Sequence, residues 1–522
     1  MQKTFLSFIL ILLISLQVGY SQSYVVSGIE KTDKEGMQYE ILGKVADRYW
    51  IYKKNGGIST IAQYNAQMQL VKQNDLAFLP ATLNSIEFIT FANKVVAFYQ
   101  FQGRSTVYAA AAEMNVEGQL VGNPKIIDTV ENIRPGTHTK VFNLLQSDDH
   151  QKIAIFSVNT TRAHSLKVKV MSLNDHFEIV NEASVNVNAQ DKKSNLSDFA
   201  LDNKGNLFCL RNMTLSNSAP AVSLLYLAAD GSEVMESPIL NNTLLLDDIR
   251  LKVDNANSRV LLNSFYATSK KGNVEGLFTY VWDITTKKEI ASNANRFTDA
   301  MRAAVSSKHN LKAVYDTYYL DKINTQSDGS FVVVAESAET YNNRSAFSRW
   351  DYYYGGAFYN PYMFNYWNRP FGFYPWARFG WGMYPFMWSP WMNPYAGFGY
   401  NSVTYNADKV ALISMDTKGN IQWVKTIDKS QSDQNVDQFI GYGTIENSAG
   451  TTFVYYNKEK SVRQFVINIL TNNGQLVKGA NIILAEKRNE WMPRSLKQVG
   501  EQEAIVPYQY KNRIGFAKIQ IK

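Results

Sequence analysis

Ser414–Lys425 reads SMDTKGNIQWVK, and the fold is decided by what this stretch repeats. A polar turn, Asp416 to Asn420, separates two runs in which apolar and polar residues alternate. Gly, Asn and Asp tolerate the positive φ of a tight turn, and period-two alternation on both sides marks a β-hairpin. Six more stretches have this form: QYNAQMQLVK (63–72), EMNVEGQLVG (113–122), SLNDHFEIVN (172–181), YLAADGSEVM (226–235), VWDITTKKEI (281–290) and ILTNNGQLVKG (469–479).

A second element alternates with the first, a polar turn followed by an apolar strand. Its eight copies are ADRYWIYKK (46–54), ANKVVAFYQF (92–101), DHQKIAIFSVN (149–159), NKGNLFCLRN (203–212), ANSRVLLNSFY (256–266), SDGSFVVVAE (327–336), SAGTTFVYYN (448–457) and QEAIVPYQY (502–510). Hairpin turns lie about 51 to 58 residues apart, and roughly 132 apart across one long segment. Each unit therefore holds about four strands, the size of a propeller blade.

Eight inner strands with seven outer hairpins leave the last unit one element short. That unit ends on RIGFAKIQIK (513–522), and SYVVSGIE (23–30) is a spare strand able to complete it. Closing the ring with strands from both chain ends removes open edges. The expected fold is all-β, a single propeller of eight four-stranded blades over residues 22–522. Seven blades is the nearest competing count, and a pair of smaller β domains comes third.

Two insertions fall in the sixth unit. Residues 296–323 carry Met301, Ala304, Val305, Leu311 and Val314 at helical spacing, with Thr298 as N-cap and Asp299 in the first turn. Residues 347–401 form the second insertion, between the second and third strands. Strands in a blade alternate in direction, so both insertions emerge on one face, which is the expected working surface.

The second insertion is an aromatic run. From Trp350 to Tyr400 it holds 23 aromatic residues in 51 positions, and only Asp351, Arg369 and Arg378 are charged. Each aromatic side chain carries about 150–250 Å² of surface. Exposing a third of them would make a patch on the order of 1,000 Å², beyond what a soluble monomer shows. Pro361, Pro370, Pro375, Pro385, Pro390 and Pro394 exclude a membrane-spanning helix. Four covers remain: the propeller itself, a docked partner, a glycan stacked on flat rings, or peripheral contact with a headgroup interface. Tyr366, Trp367, Arg369, Trp376, Arg378, Trp381, Trp388 and Trp391 are the candidate binding residues. For a glycan, the run offers amides but Asp351 as its sole carboxylate, a poor set for hydroxyl groups.

The pattern Asp416-x-x-Gly419-x-Ile421-x-Trp423 within SMDTKGNIQWVKTID (414–428) resembles a repeat of quinoprotein-like propellers. Only this repeat keeps the tryptophan, so a quinone cofactor is not implied. DGSFVVVAE (328–336) with GNIQWVKTIDKSQ (419–431) resembles an uncharacterised group of exported propellers from Gram-negative bacteria that use type 9 secretion. That resemblance spans about a fifth of the chain. It implies a propeller fold and an exported protein, either periplasmic or associated with the outer membrane.

The N-terminus fits export: Lys3, an apolar run from Phe5 to Leu16, and Gly19-Tyr20-Ser21 read as a signal peptide over residues 1–21. A net charge of +7, with signs interspersed, points to no nucleic acid partner. Cys209 is the only cysteine, set in an apolar strand and expected to be buried. His138, His150, His164, His176 and His309 form no metal-ligand spacing, and the Asp202–Asn206 turn lacks the carboxylates of a calcium loop. Neither a metal nor a cofactor is expected. Catalysis would require folding to bring together several of His138, His150, His164, Asp149 and Asp175. The function expected is non-catalytic: an exported scaffold docking an envelope or outer-membrane protein, such as a component of the secretion machinery, through the aromatic insertion. A glycan-binding module is the second reading and a propeller enzyme the third.

Overall fold

The computed structural model describes residues 23–521, except 35, 137–139, 161–164, 188–193, 214–220, 240–243, 247–248, 270–271, 307–310, 342–403, 435–436, 460–461 and 487. Eight antiparallel sheets form a single eight-bladed propeller. Blade 1 shows the plan, with Gln38–Val45, Arg48–Asn55, Ile58–Tyr64 and Leu70–Asp75 pairing in that order. The first strand of each blade faces the axis. Gln38–Val45 touches the first strand of blade 2, Ser85–Thr90, on one side and Lys497–Gln498 of blade 8 on the other.

The apolar strands expected on the inner side of each blade are second from the axis. Arg48–Asn55 and Arg259–Ala267 are sandwiched between neighbouring blades and covered on both faces, so they read as continuous apolar runs. First strands border the central channel and mix charged with apolar residues, which is why they are faint in sequence. Lys322 and Glu446, on the first strands of blades 6 and 7, pair there at 2.7 Å.

Blade 8 is built from both chain ends. Arg513–Gln520 receives Ser23–Val26 as the outer strand, in register from Ser23 with Gln520 to Val26 with Ala517. Glu30–Lys31 extends the same edge. Tyr508 Oη donates to the Ser27 carbonyl at 2.7 Å, and the Phe516 N–H donates to Ser27 Oγ at 3.0 Å. Among the described residues, no helix is long and apolar enough to cross a membrane.

The core lies in the wedges between blades. Trp50, Trp282 and Trp491 are fully buried there, each against a neighbouring blade. At about 25 cal/mol per Å², a buried ring of that size contributes roughly 4–6 kcal/mol before ordering entropy is counted. Cys209 is buried as expected, and burial pushes its thiol pKa far up.

Each of the seven outer hairpins has a residue at positive φ that docks on the preceding blade. Gly231 approaches Ala183 so closely that a Cβ would lie 2.8 Å from the alanine Cβ, and Gly474 sits against the Trp423 ring. Blades 1, 3 and 5 use Met68, Phe177 and Lys287 at this position, not the Gly, Asn or Asp expected. Met68 and Phe177 bury their side chains against the preceding blade. Lys287 reaches Glu233 and lies over the Tyr226 ring. Interblade contact offsets the left-handed backbone cost of about 1–2 kcal/mol.

Candidate binding face

Connections from strand two to three, and from strand four to the next strand one, emerge on the same side of the ring. Three features share it. One is a helix between blades 5 and 6, Asp299–Val305, followed by a 3₁₀ turn at Val314–Thr317 and then blade 6's first strand, Tyr318–Thr325. Thr298 caps it, accepting from the Met301 N–H at 3.3 Å, as its sequence suggests. The face it buries differs from expectation. Ala304 is exposed, whereas Arg302 is buried with Val305. The Arg302 guanidinium explains this, since it donates to the carbonyls of Phe297, Leu311, Lys312, Val274 and Glu275 at 2.9 to 3.4 Å. Those acceptors lie on both arms of the insertion and on the blade 5 hairpin below it, so one cation pins the segment.

The second feature is a buried ionic cluster at the root of the aromatic run. Glu336 lies on Phe331–Tyr341, the second strand of blade 6, whose partner Thr404–Met415 resumes the chain beyond the run. A register shift between Glu336 and Ala338 marks a bulge, which turns local side chains off the regular pleat. Glu336 accepts from Lys429 Nζ at 2.8 Å and from Arg494 Nη2 at 2.6 Å. Arg494 comes from the turn Pro493–Ser495 that opens blade 8, so the pair spans blade 7. Burial pushes the Glu336 carboxyl up, but the two cations outweigh it and hold it below the usual range.

Glycine makes room for this arrangement. Gly441 has φ +91°, and a Cβ there would lie 1.9 Å from Arg494 Nε. Its N–H donates to Gln431 Oε1 at 2.8 Å, the atom that also accepts from Lys429 at 3.1 Å. Asp437 is buried beside the cluster, and burial pushes its pKa up to about 6 despite the nearby Arg494 charge.

The third feature is a cavity of about 640 Å³ at the seam of blades 8 and 1. Met37, Tyr39, Met492 and Ile514 supply its apolar lining, and Gln438, Gln509 and Asn512 its amides. Lys31, Lys34, Lys511 and Arg494 contribute positive charge against Asp33. Arg494 belongs to both features, lining the cavity while bonding Glu336.

The candidate residues Tyr366, Trp367, Arg369, Trp376, Arg378, Trp381, Trp388 and Trp391 lie outside the described residues, as do His138, His164 and His309. His150 and His176 occupy turns of blade 3 on the opposite face. His150 follows Asp149 in a turn closed by Ser147, while His176 faces Glu113 at 3.2 Å. The Asp202 turn is a plain one, its carboxylate accepting the N–H groups of Lys204 and Asn206. No group of three or more metal-ligating side chains occurs among the described residues. Sequence reading missed Glu336, Lys429, Asp437 and Arg494, which share no local motif and meet only because blades 6 to 8 fold together.

No protein family matches the chain, and no curated protein matches it in sequence. Solved structures resemble the chain only at low similarity. A prolyl endopeptidase is 8% identical with TM-score 0.40, over 91% of this chain and 55% of that one. The WD40 domain of SCAP from fission yeast is 10% identical with TM-score 0.36, over 96% and 98%. The polysaccharide lyase Uly1 is 8% identical with TM-score 0.38, over 83% and 89%. The chain thus spans about half the length of the endopeptidase it matches.

Proposed function

We propose that this propeller is a non-catalytic scaffold, exported to the periplasm or outer membrane, that docks an envelope protein through the face carrying the aromatic run. The observation that carries this reading is the convergence of features on one side of a closed ring. The strands flanking the run, the pinned helix, the buried ionic cluster and the cavity all belong to that side. A rigid platform lowers the ordering cost of binding, and Trp, Tyr and Arg are the residues that dominate interface energetics.

Deleting residues 347–401 and joining the flanking strands by a short linker tests it. The variant is expected to keep its melting temperature and lose an envelope protein that co-purifies with the full chain. Retention of every co-purifying partner by a folded deletion variant contradicts the reading. Retention of the full chain on cell-wall or capsule polysaccharide, lost with Trp376→Ala and Trp381→Ala together, would replace it with glycan binding.

A further inference from the structure

We infer that the cavity between blades 8 and 1 is a binding site for a peptide carboxylate standing next to an apolar side chain. This deepens the docking reading by giving the partner's chemistry at one point of the face. Ligand sites are typically concave, about 300–1,000 Å³, mostly apolar, with a few polar groups that fix orientation. The cavity, at about 640 Å³, has that character.

Charge selects the sign of the ligand. Lys31 and Lys34 make no ion pair among the described residues, and Lys511 contacts only the neighbouring Tyr510 ring among the cation contacts there. Asp33 is the one described carboxylate in the lining, and it already accepts the Gly56 N–H at 2.8 Å. A phosphate dianion is best met by an arginine fork or a nest of backbone N–H groups. Arg494 gives its Nη2 to Glu336 at 2.6 Å, so its fork does not face the cavity whole. Lys31, Lys34 and Lys511 add point charges that draw an anion to the rim.

The lining selects the ligand class. Sugar rings stack on exposed flat aromatic faces, but Tyr39, the only aromatic lining residue among those described, is buried and donates its hydroxyl to Met492 Sδ. Two methionines beside Ile514 give an adaptable apolar surface suited to a branched side chain. The Gln438 amide donates to Gln509 Oε1 at 3.1 Å, joining the approach to blade 7 with blade 8 and fixing one wall.

Fluorescence anisotropy of the full chain tests the assignment, with labelled Ala-Ala-Ala-Leu bearing either a free C-terminal carboxylate or a C-terminal amide. The acid is expected to bind at least tenfold more tightly than the amide, with affinity falling as salt is added. Lys31→Glu with Lys511→Glu, both exposed positions, should weaken the acid about tenfold or more without changing the melting temperature. Asn512→Trp, which narrows the cavity, should abolish binding. Equal binding of acid and amide, no binding of either, insensitivity to the charge reversal, or preference for a glucuronic acid oligosaccharide would each overturn the inference. The 347–401 deletion leaves these residues in place. Failure of docking through the aromatic run would therefore leave peptide binding intact, and failure of the cavity assignment would leave that docking intact.

Discussion

At residue scale the candidate binding face rests on charges that burial makes costly when unpaired. Glu336 joins strands of blade 6 to blade 8 through Arg494, and removing one partner of a buried pair typically costs about 3–5 kcal/mol. Glu336→Gln should therefore lower the unfolding free energy by that order, read by chemical unfolding. Gly441→Ala should cost about 2–4 kcal/mol, because its Cβ meets Arg494 in a left-handed conformation. Asp437 gives a pH signature. Its native pKa of about 6 exceeds the ordinary 3.8, so the folded state keeps a proton that the unfolded state releases. Stability should fall as pH rises from about 4 to about 6, then level off. The groups facing it are Arg494, which lowers the pKa, and Asp433 and Glu336, which raise it. Asp437→Asn should raise stability by about 2–3 kcal/mol at pH 7 and leave it unchanged near pH 4, measured by thermal melts across pH. None of these four residues announces itself in sequence: Glu336, Lys429, Asp437 and Arg494 are ordinary charges until tertiary packing removes their water.

At element scale, local chemistry was legible wherever it was local. The Thr298 cap and the polar turns follow from residue type and spacing. Arg302 was not legible, because an arginine in a seven-residue helix reads as solvated charge. Its burial depends on carbonyls supplied by loops on either side. Arg302→Met should strand those acceptors and cost about 2–4 kcal/mol, with faster amide exchange confined to 297–317. Met68 and Phe177 carry the same lesson: their left-handed backbones are chosen by burial against the next blade over. Turn propensity alone points to glycine. The blade count was legible because seven hairpin turns and eight apolar strands repeat at nearly constant spacing.

At the scale of the whole molecule, closure is the organising fact. The outer strand of blade 8 comes from Ser23–Val26, so the two ends of the described chain hold the ring together. Removing residues 23–31 should leave the Arg513–Gln520 edge unpaired, lower the melting temperature by several degrees, and promote association visible by size-exclusion chromatography. A closed ring can also carry an insertion without opening the blade, since the chain leaves and re-enters blade 6 between the paired strands Phe331–Tyr341 and Thr404–Met415. Under the proposed function the aromatic run meets a partner beyond its own propeller. Photo-crosslinking from a benzoylphenylalanine at Trp376, in the full chain within intact envelopes, tests it most directly. A discrete crosslink to another envelope protein is expected; crosslinks confined to this chain's own blades would rule out docking through the run.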